Sequence, residues 1–154
     1  MTIHRILQDG APILREVAHP VQAFDAALAT LADDMLETMR ETKVGIGLAA
    51  PQIGVSTRVI VIELHGNVWT MCNPVIVIAT GQQRSVEGCL SVPATLWGRS
   101  VARHALISIE YHDLSGEWRQ LRARRQMAAV LEHEIDHLNG ILFSDHFTGR
   151  LTLT

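Results

Sequence analysis

Between Asp25 and about Glu41, apolar residues recur at helical spacing: Leu28, Leu31, Met35, Leu36 and Met39 stand among charged and small polar positions. This period predicts an amphipathic helix whose stripe faces a core. From Arg58 to His112 the pattern changes. The short β-branched runs RVIVIEL, NVWTM, PVIVIAT, SVARH and ALISIEY are broken by Gly, Asn, Pro and Ser, and they predict strands joined by turns. From about Arg124 to Asn139 the chain is rich in helix formers and closes on Gly140, a natural C-cap residue. Strands between two helices, without repeated βαβ alternation, predict an α+β fold with mostly antiparallel strands.

No repeat, low-complexity tract or Gly/Ser/Pro linker divides the chain, so residues 1–154 are read as one soluble domain. An apolar content of 47% against 19% charged is enough for a real core. The net charge of -3 carries no basic surplus, which argues against nucleic acid or an anionic membrane as the main partner. The N-terminal segment lacks a signal-like apolar run, and no other run approaches a membrane span, so a cytoplasmic location is expected. Two cysteines, Cys72 and Cys89, are too few for a disulfide scaffold, and each is either a small buried hydrophobe or a chemical group.

The chemistry concentrates on the second helix. His133 and His137 are four residues apart, so at about 100° per residue they leave one helix face about 40° apart and a turn distant. With Glu134 they form H-E-x-x-H, in which two imidazoles bind a divalent metal and the Glu serves as general base. A solvated helix face would show the same letters. Here, however, Ala128, Ala129, Val130, Leu131 and Leu138 make the helix apolar, and burying unpaired imidazoles there would be costly. A catalytic site needs a third ligand from Cys, His, Asp or Glu. Cys89 in EGCLS, beside Gly88, is better placed than Cys72 in MCNP, which suits buried packing. Gly45–Gln52, GIGLAAPQ, offers an accessible backbone and an amide donor on Gln52, or else only a tight turn. The other histidines are read as surface residues or local hydrogen bonders.

GIGLAAPQ, EGCLS and HEIDH together resemble, in the same order, the three motifs of peptide deformylases. The likeness runs from PILREVAHPV through RVIVIEL and CNPVI to DHLNGILFSD. The resemblance implies antiparallel strands packed around the HEIDH helix, with the amphipathic helix near the N-terminus. It implies one divalent ion on Cys89, His133 and His137: Fe2+ first, with Zn2+, Ni2+ or Co2+ able to replace it. It further implies Glu134 as general base and acid, the Gln52 amide and the Leu90 N–H as oxyanion donors, and a structural ion pair between Glu87 and Arg103. Gly45, Ile46, Gly47, Ala129 and Val130 would line the substrate pocket. The implied substrate is an N-formylated nascent polypeptide, with formate released; ribosome contact is left open.

Several positions depart from that pattern. Glu132 stands where Gln is usual, Arg125 where Gly is usual, and Ser85 where a pocket residue is usually apolar. Leu96, or with a two-residue insertion Gly98 next to Arg99, replaces an Arg near bound peptide. The sequence ends at Thr154 without the further C-terminal helix of many bacterial members. These departures raise an alternative substrate, a free N-formyl amino acid or another small formamide. H-E-x-x-H alone would also suit a metalloprotease, against which stand Cys89 and GIGLAAPQ. A non-catalytic metal module would need neither Glu134 nor Gln52.

Overall fold

A computed structural model describes residues 1–149; residues 150–154, and the expectation attached to the chain end, lie outside the described residues. The first helix, α1 (Ala26–Glu41), starts where the Asp25 carboxylate accepts from the Leu28 N–H at 3.1 Å, an N-cap bond that satisfies one of the helix's free donors. Of the stripe that the period predicts, Leu28, Met35 and Met39 are buried and Leu31 and Leu36 half-buried, and Ala32 joins it. Seven strands follow: β1 (Gly47–Ala49), β2 (Val59–Leu64), β3 (Asn67–Thr80), β4 (Gln83–Glu87), β5 (Arg99–Arg103), β6 (Leu106–His112) and β7 (Trp118–Arg124). The HEIDH helix, α2 (Arg125–Leu138), comes next, and a single turn, α3 (Asp145–Thr148), closes the described chain.

All strand pairs are antiparallel, in a five-stranded sheet ordered β1-β2-β3-β6-β7 and a separate β4-β5 pair. The α+β expectation holds. β2 reads as continuous apolar sequence because both of its faces are covered. Ile60 and Ile62 pack with Met71, Ile107 and Ile109 against Ala128, Leu131 and Leu138 of α2. Val59 and Val61 pack with Cys72 and Leu48 against Leu28, Met35 and Met39 of α1. Cys72 is thus core packing, and burial pushes its thiol up to about 11.

The structure corrects the strand reading in three places. NVWTM and PVIVIAT are one strand, β3, and not two. Asn73 takes a left-handed φ of 52° there, and the pairing with β6 shifts register between Cys72 and Val75. The bulge is held by the Asn73 side chain, which accepts from the Val21 N–H (2.7 Å) and donates to the Val21 carbonyl (3.0 Å), so Asn-Pro here bends a strand without ending it. The β region also extends past His112 to β7, whose Arg-rich sequence hides it: only Leu121 and Ala123 turn to the core from this edge strand. Likewise β1 and β4 are too short or too polar to show an alternating pattern.

The segment before α1 runs as a strap behind the strands. The Leu7 N–H donates to the Gln52 carbonyl (2.8 Å), Asp9 to Ser91 (2.7 Å) and Ala18 to Leu138 (2.9 Å). It is tied to α1 by the Thr2 N–H on the Asp34 carboxylate (2.6 Å) and the His4 N–H on the Thr38 hydroxyl (2.9 Å). Among the described residues no helix is long and apolar enough to cross a membrane.

Candidate metal centre

α2 presents His133 and His137 from adjacent turns, with ring centroids 5.1 Å apart, toward the loop that joins β4 to β5. That loop carries Cys89, whose Sγ lies 3.3 Å from His137 Nε2. One donor atom from each of the three residues falls within 4.8 Å of the others, and all three side chains are buried. A tetrahedral ion with bonds of about 2.0–2.3 Å needs donors roughly 3.5 Å apart.

The second nitrogen of His133 is spoken for. Its Nδ1 lies 2.9 Å from Glu87 Oε1, and Glu87 is gripped from the other side by Arg103 through Nε (2.9 Å) and Nη2 (2.8 Å). Burial alone would raise the Glu87 carboxyl, but the bonds from Arg103 and His133 hold it down to about 2. An ionised carboxylate only accepts, so Nδ1 must carry the proton and Nε2 is left for an ion. Asp136 extends the network: Arg103 Nη1 donates to it (2.7 Å) and His146 Nε2 lies 3.0 Å away. Asp136 therefore reaches His133 only through Arg103 and Glu87. The His137 imidazole is held well below its usual range, burial foremost, which keeps it neutral as a ligand must be.

Glu134 faces the other way, toward β1. It is buried, its Oε2 has no hydrogen-bond partner among the described residues, and burial pushes its carboxyl up to about 7. Gly47 makes room for it, since a Cβ there would come within 2.5 Å of Glu134 Oε1. The Gln52 amide is oriented by two bonds. Its Oε1 accepts from the Ala49 N–H (2.9 Å), so its NH2 must point at Ser91 Oγ (3.1 Å) and lies 3.9 Å from Cys89 Sγ. The Leu90 N–H has no acceptor among the described residues.

These groups border one cavity of about 260 Å³, at the small end for a ligand pocket, which suits the end of a chain more than a long segment. Gly45, Ile46, Gly47, Gln52, Ser85, Cys89, Leu90, Ala129, Val130, His133 and Glu134 all line it. His137 lies outside the lining. Leu96, read as a peptide neighbour, instead packs into the cluster of Cys89, Val92, Leu142 and Phe143. Arg99 places its guanidinium 5.0 Å over the Phe147 ring, and neither it nor Gly98 is on the pocket wall. Glu132 turns from the pocket to His104, binding its N–H (2.9 Å) and its Nδ1 (2.6 Å). Arg125 sits at the start of α2 with a left-handed φ of 50°, which is why Gly is at home in that position.

Two participants escape a reading of the sequence. Ser91, inside EGCLS, orients Gln52 through its hydroxyl. Trp97 lines the cavity and donates from its indole N–H to the carbonyls of Cys89 (3.0 Å) and Val92 (2.9 Å). No spacing in the sequence announces either contact.

A cysteine sulfur and two imidazoles beside a buried carboxyl group without a partner among the described residues, on an antiparallel α+β frame, define a metallohydrolase of the H-E-x-x-H kind. The sequence matches the polypeptide deformylase family over residues 3–151. A peptide deformylase of Heliobacterium modesticaldum is 43% identical over 145 residues, which span 94% of each chain. The crystal structure of a peptide deformylase from Legionella pneumophila superposes with a TM-score of 0.91 at 40% identity, covering 96% of this chain and 87% of that one. The peptide deformylase from Thermotoga maritima does so with 0.91 at 35% identity, covering 96% and 99%. The chain belongs to the polypeptide deformylase family.

Proposed function

We propose that this protein removes the N-terminal formyl group from nascent formyl-methionyl polypeptides and releases it as formate. The observation that carries the reading is the Glu134 carboxyl group, buried and with its Oε2 unpartnered among the described residues, at the wall of a chain-end-sized pocket, beside a donor set that fits a divalent ion. Cys89, His133 and His137 would hold that ion. When bound, it would act as a Lewis acid toward the attacking water and the formyl oxygen. The expected ion is Fe2+, replaceable by Zn2+, Ni2+ or Co2+.

The remaining chemistry belongs to the chain. Glu134 accepts the proton of the attacking water and then donates it to the departing amine nitrogen. Its desolvated carboxyl is suited to both halves of that task. The Gln52 NH2 and the Leu90 N–H donate to the oxygen as it gains charge, each worth a few kcal/mol of barrier when well placed. Ile46, Ala129 and Val130 surround the methionine side chain, and the backbone of Gly45–Gly47 lies alongside the peptide. The substrate is presented in the cytoplasm, with no nucleic acid contact in the reaction.

Protein purified without oxygen should carry iron by metal analysis and release formate from formyl-Met tripeptides. Glu134→Gln should lower kcat by about 10²- to 10⁴-fold while retaining the ion. A gain in kcat/KM from formyl-Met to the longer peptides is expected, because added residues supply binding that a peptide enzyme can use. A loaded protein that deformylates formyl-Met alone, or nothing, overturns the proposal.

A further inference from the structure

The Leu90 N–H and the Cys89 carbonyl belong to one peptide unit. That unit is planar and trans, so the two groups point in opposite directions from a single rigid plate. Whatever holds the carbonyl aims the N–H. Here the Cys89 carbonyl accepts twice, from the Val92 N–H (3.0 Å) and from the Trp97 indole N–H (3.0 Å). The indole N–H is shared with the Val92 carbonyl (2.9 Å), so Trp97 clasps both ends of the turn from Cys89 to Val92. The ring lies directly against Gly88, where a Cβ would come within 2.8 Å of its Cδ2. At the far end of the plate the Leu90 N–H is without an acceptor among the described residues, and Leu90 lines the pocket.

We infer that Trp97 is a positioning residue for the reaction: by gripping the Cys89 carbonyl it aims the Leu90 N–H into the pocket and strengthens it as a donor. The aiming follows from peptide planarity. The strengthening follows from polarisation, since a peptide whose carbonyl accepts two bonds has a more acidic N–H. Trp97 is 38% exposed, so burial of the ring alone does not account for a position this closely bonded. The kinetic side of this inference rests on the deformylase reading, but the geometric side does not.

The test replaces Trp97 by 3-benzothienylalanine, which keeps the shape of the ring and substitutes sulfur for N–H, with Trp97→Phe as a second variant. Each is compared with the parent protein in formate release from formyl-Met peptides. A fall in kcat of about tenfold is expected, part of the 10²- to 10³-fold that a whole oxyanion donor contributes, with KM and Co2+ affinity within twofold of the parent. In 15N-labelled, zinc-loaded protein the Leu90 amide nitrogen should move upfield, while the amides of Gly45–Gly47 stay in place. An unchanged kcat in the benzothienyl protein, or a loss expressed as KM or Co2+ affinity, overturns the inference. If the parent itself releases no formate, the deformylase reading fails; the Leu90 amide signal then decides this inference alone, and a signal that does not move refutes it.

Discussion

Gly47 and Glu134 illustrate how little room single residues have. A methyl group at Gly47 would occupy the space of Glu134 Oε1, at 2.5 Å, and the carboxylate would have to swing away from the pocket. Gly47→Ala should therefore cost about a hundredfold in kcat, the usual penalty for displacing a reacting group by about 1 Å, with metal content by elemental analysis unchanged. Arg125 is the opposite case, a residue held in a left-handed φ of 50° that its Cβ opposes. Arg125→Gly should raise stability by about 1 kcal/mol in urea unfolding, and leave activity alone because the side chain is not on the pocket wall. At this scale the HEIDH residues are legible in sequence because their relation is local: four positions on one helix fix one face. Gln52 is legible only as an amide near glycines. Its orientation comes from Ala49 and Ser91, and the second of these is 39 residues away.

Among the elements, α2 supplies two candidate ligands and the carboxylate proposed to handle the proton, but its imidazole is held by the β4-β5 pair. Glu87 ends β4, Arg103 ends β5, and their two-point bond reaches His133 Nδ1. Arg103→Lys keeps the charge and loses the planar fork, so Glu87 is held at one point. Affinity for the ion should fall about 10- to 100-fold, measured by competition with a chromophoric chelator. Of this pair only β5 is readable in the sequence, as the run SVARH; β4 is not. Both strands are five residues each and largely polar, because they frame a loop and a pocket instead of covering a core. The long apolar runs of β2 and the stripe of α1 were readable for the converse reason, since buried faces impose a period. Trp97 lies between β4 and β5, and its part in the site depends on the path of the loop, which no periodicity encodes.

Across the whole molecule the site is made of distant segments. Cys89 and His137 are 48 residues apart, so an ion between them closes a large loop and should stabilise the fold. Stripping it with a chelator is expected to lower Tm by about 5–10 °C in calorimetry, from the ~2.7 kcal/mol that a ligand at 100 times its Kd contributes. The strap adds a pH dependence. The bonds from His4 and the Thr2 N–H hold the Asp34 carboxyl below its ordinary value of 3.8. A depressed folded value means that this tie is at full strength above 3.8 and is lost as pH falls through the lower, folded value. The Thr2 and His4 amide signals should therefore leave their folded positions in acid, and Asp34→Asn should abolish that step. The same strap bonds Gln52, Ser91 and Leu138 from behind, one contact in each of the three motif regions. During synthesis it is made before the sheet and α2, yet its last anchor, Leu138, is made 120 residues after Ala18. The strap therefore cannot complete its contacts until α2 has been made. A growing chain that has not reached α2 has neither candidate His ligand nor Glu134, so it can neither hold the ion in this site nor act on its neighbours.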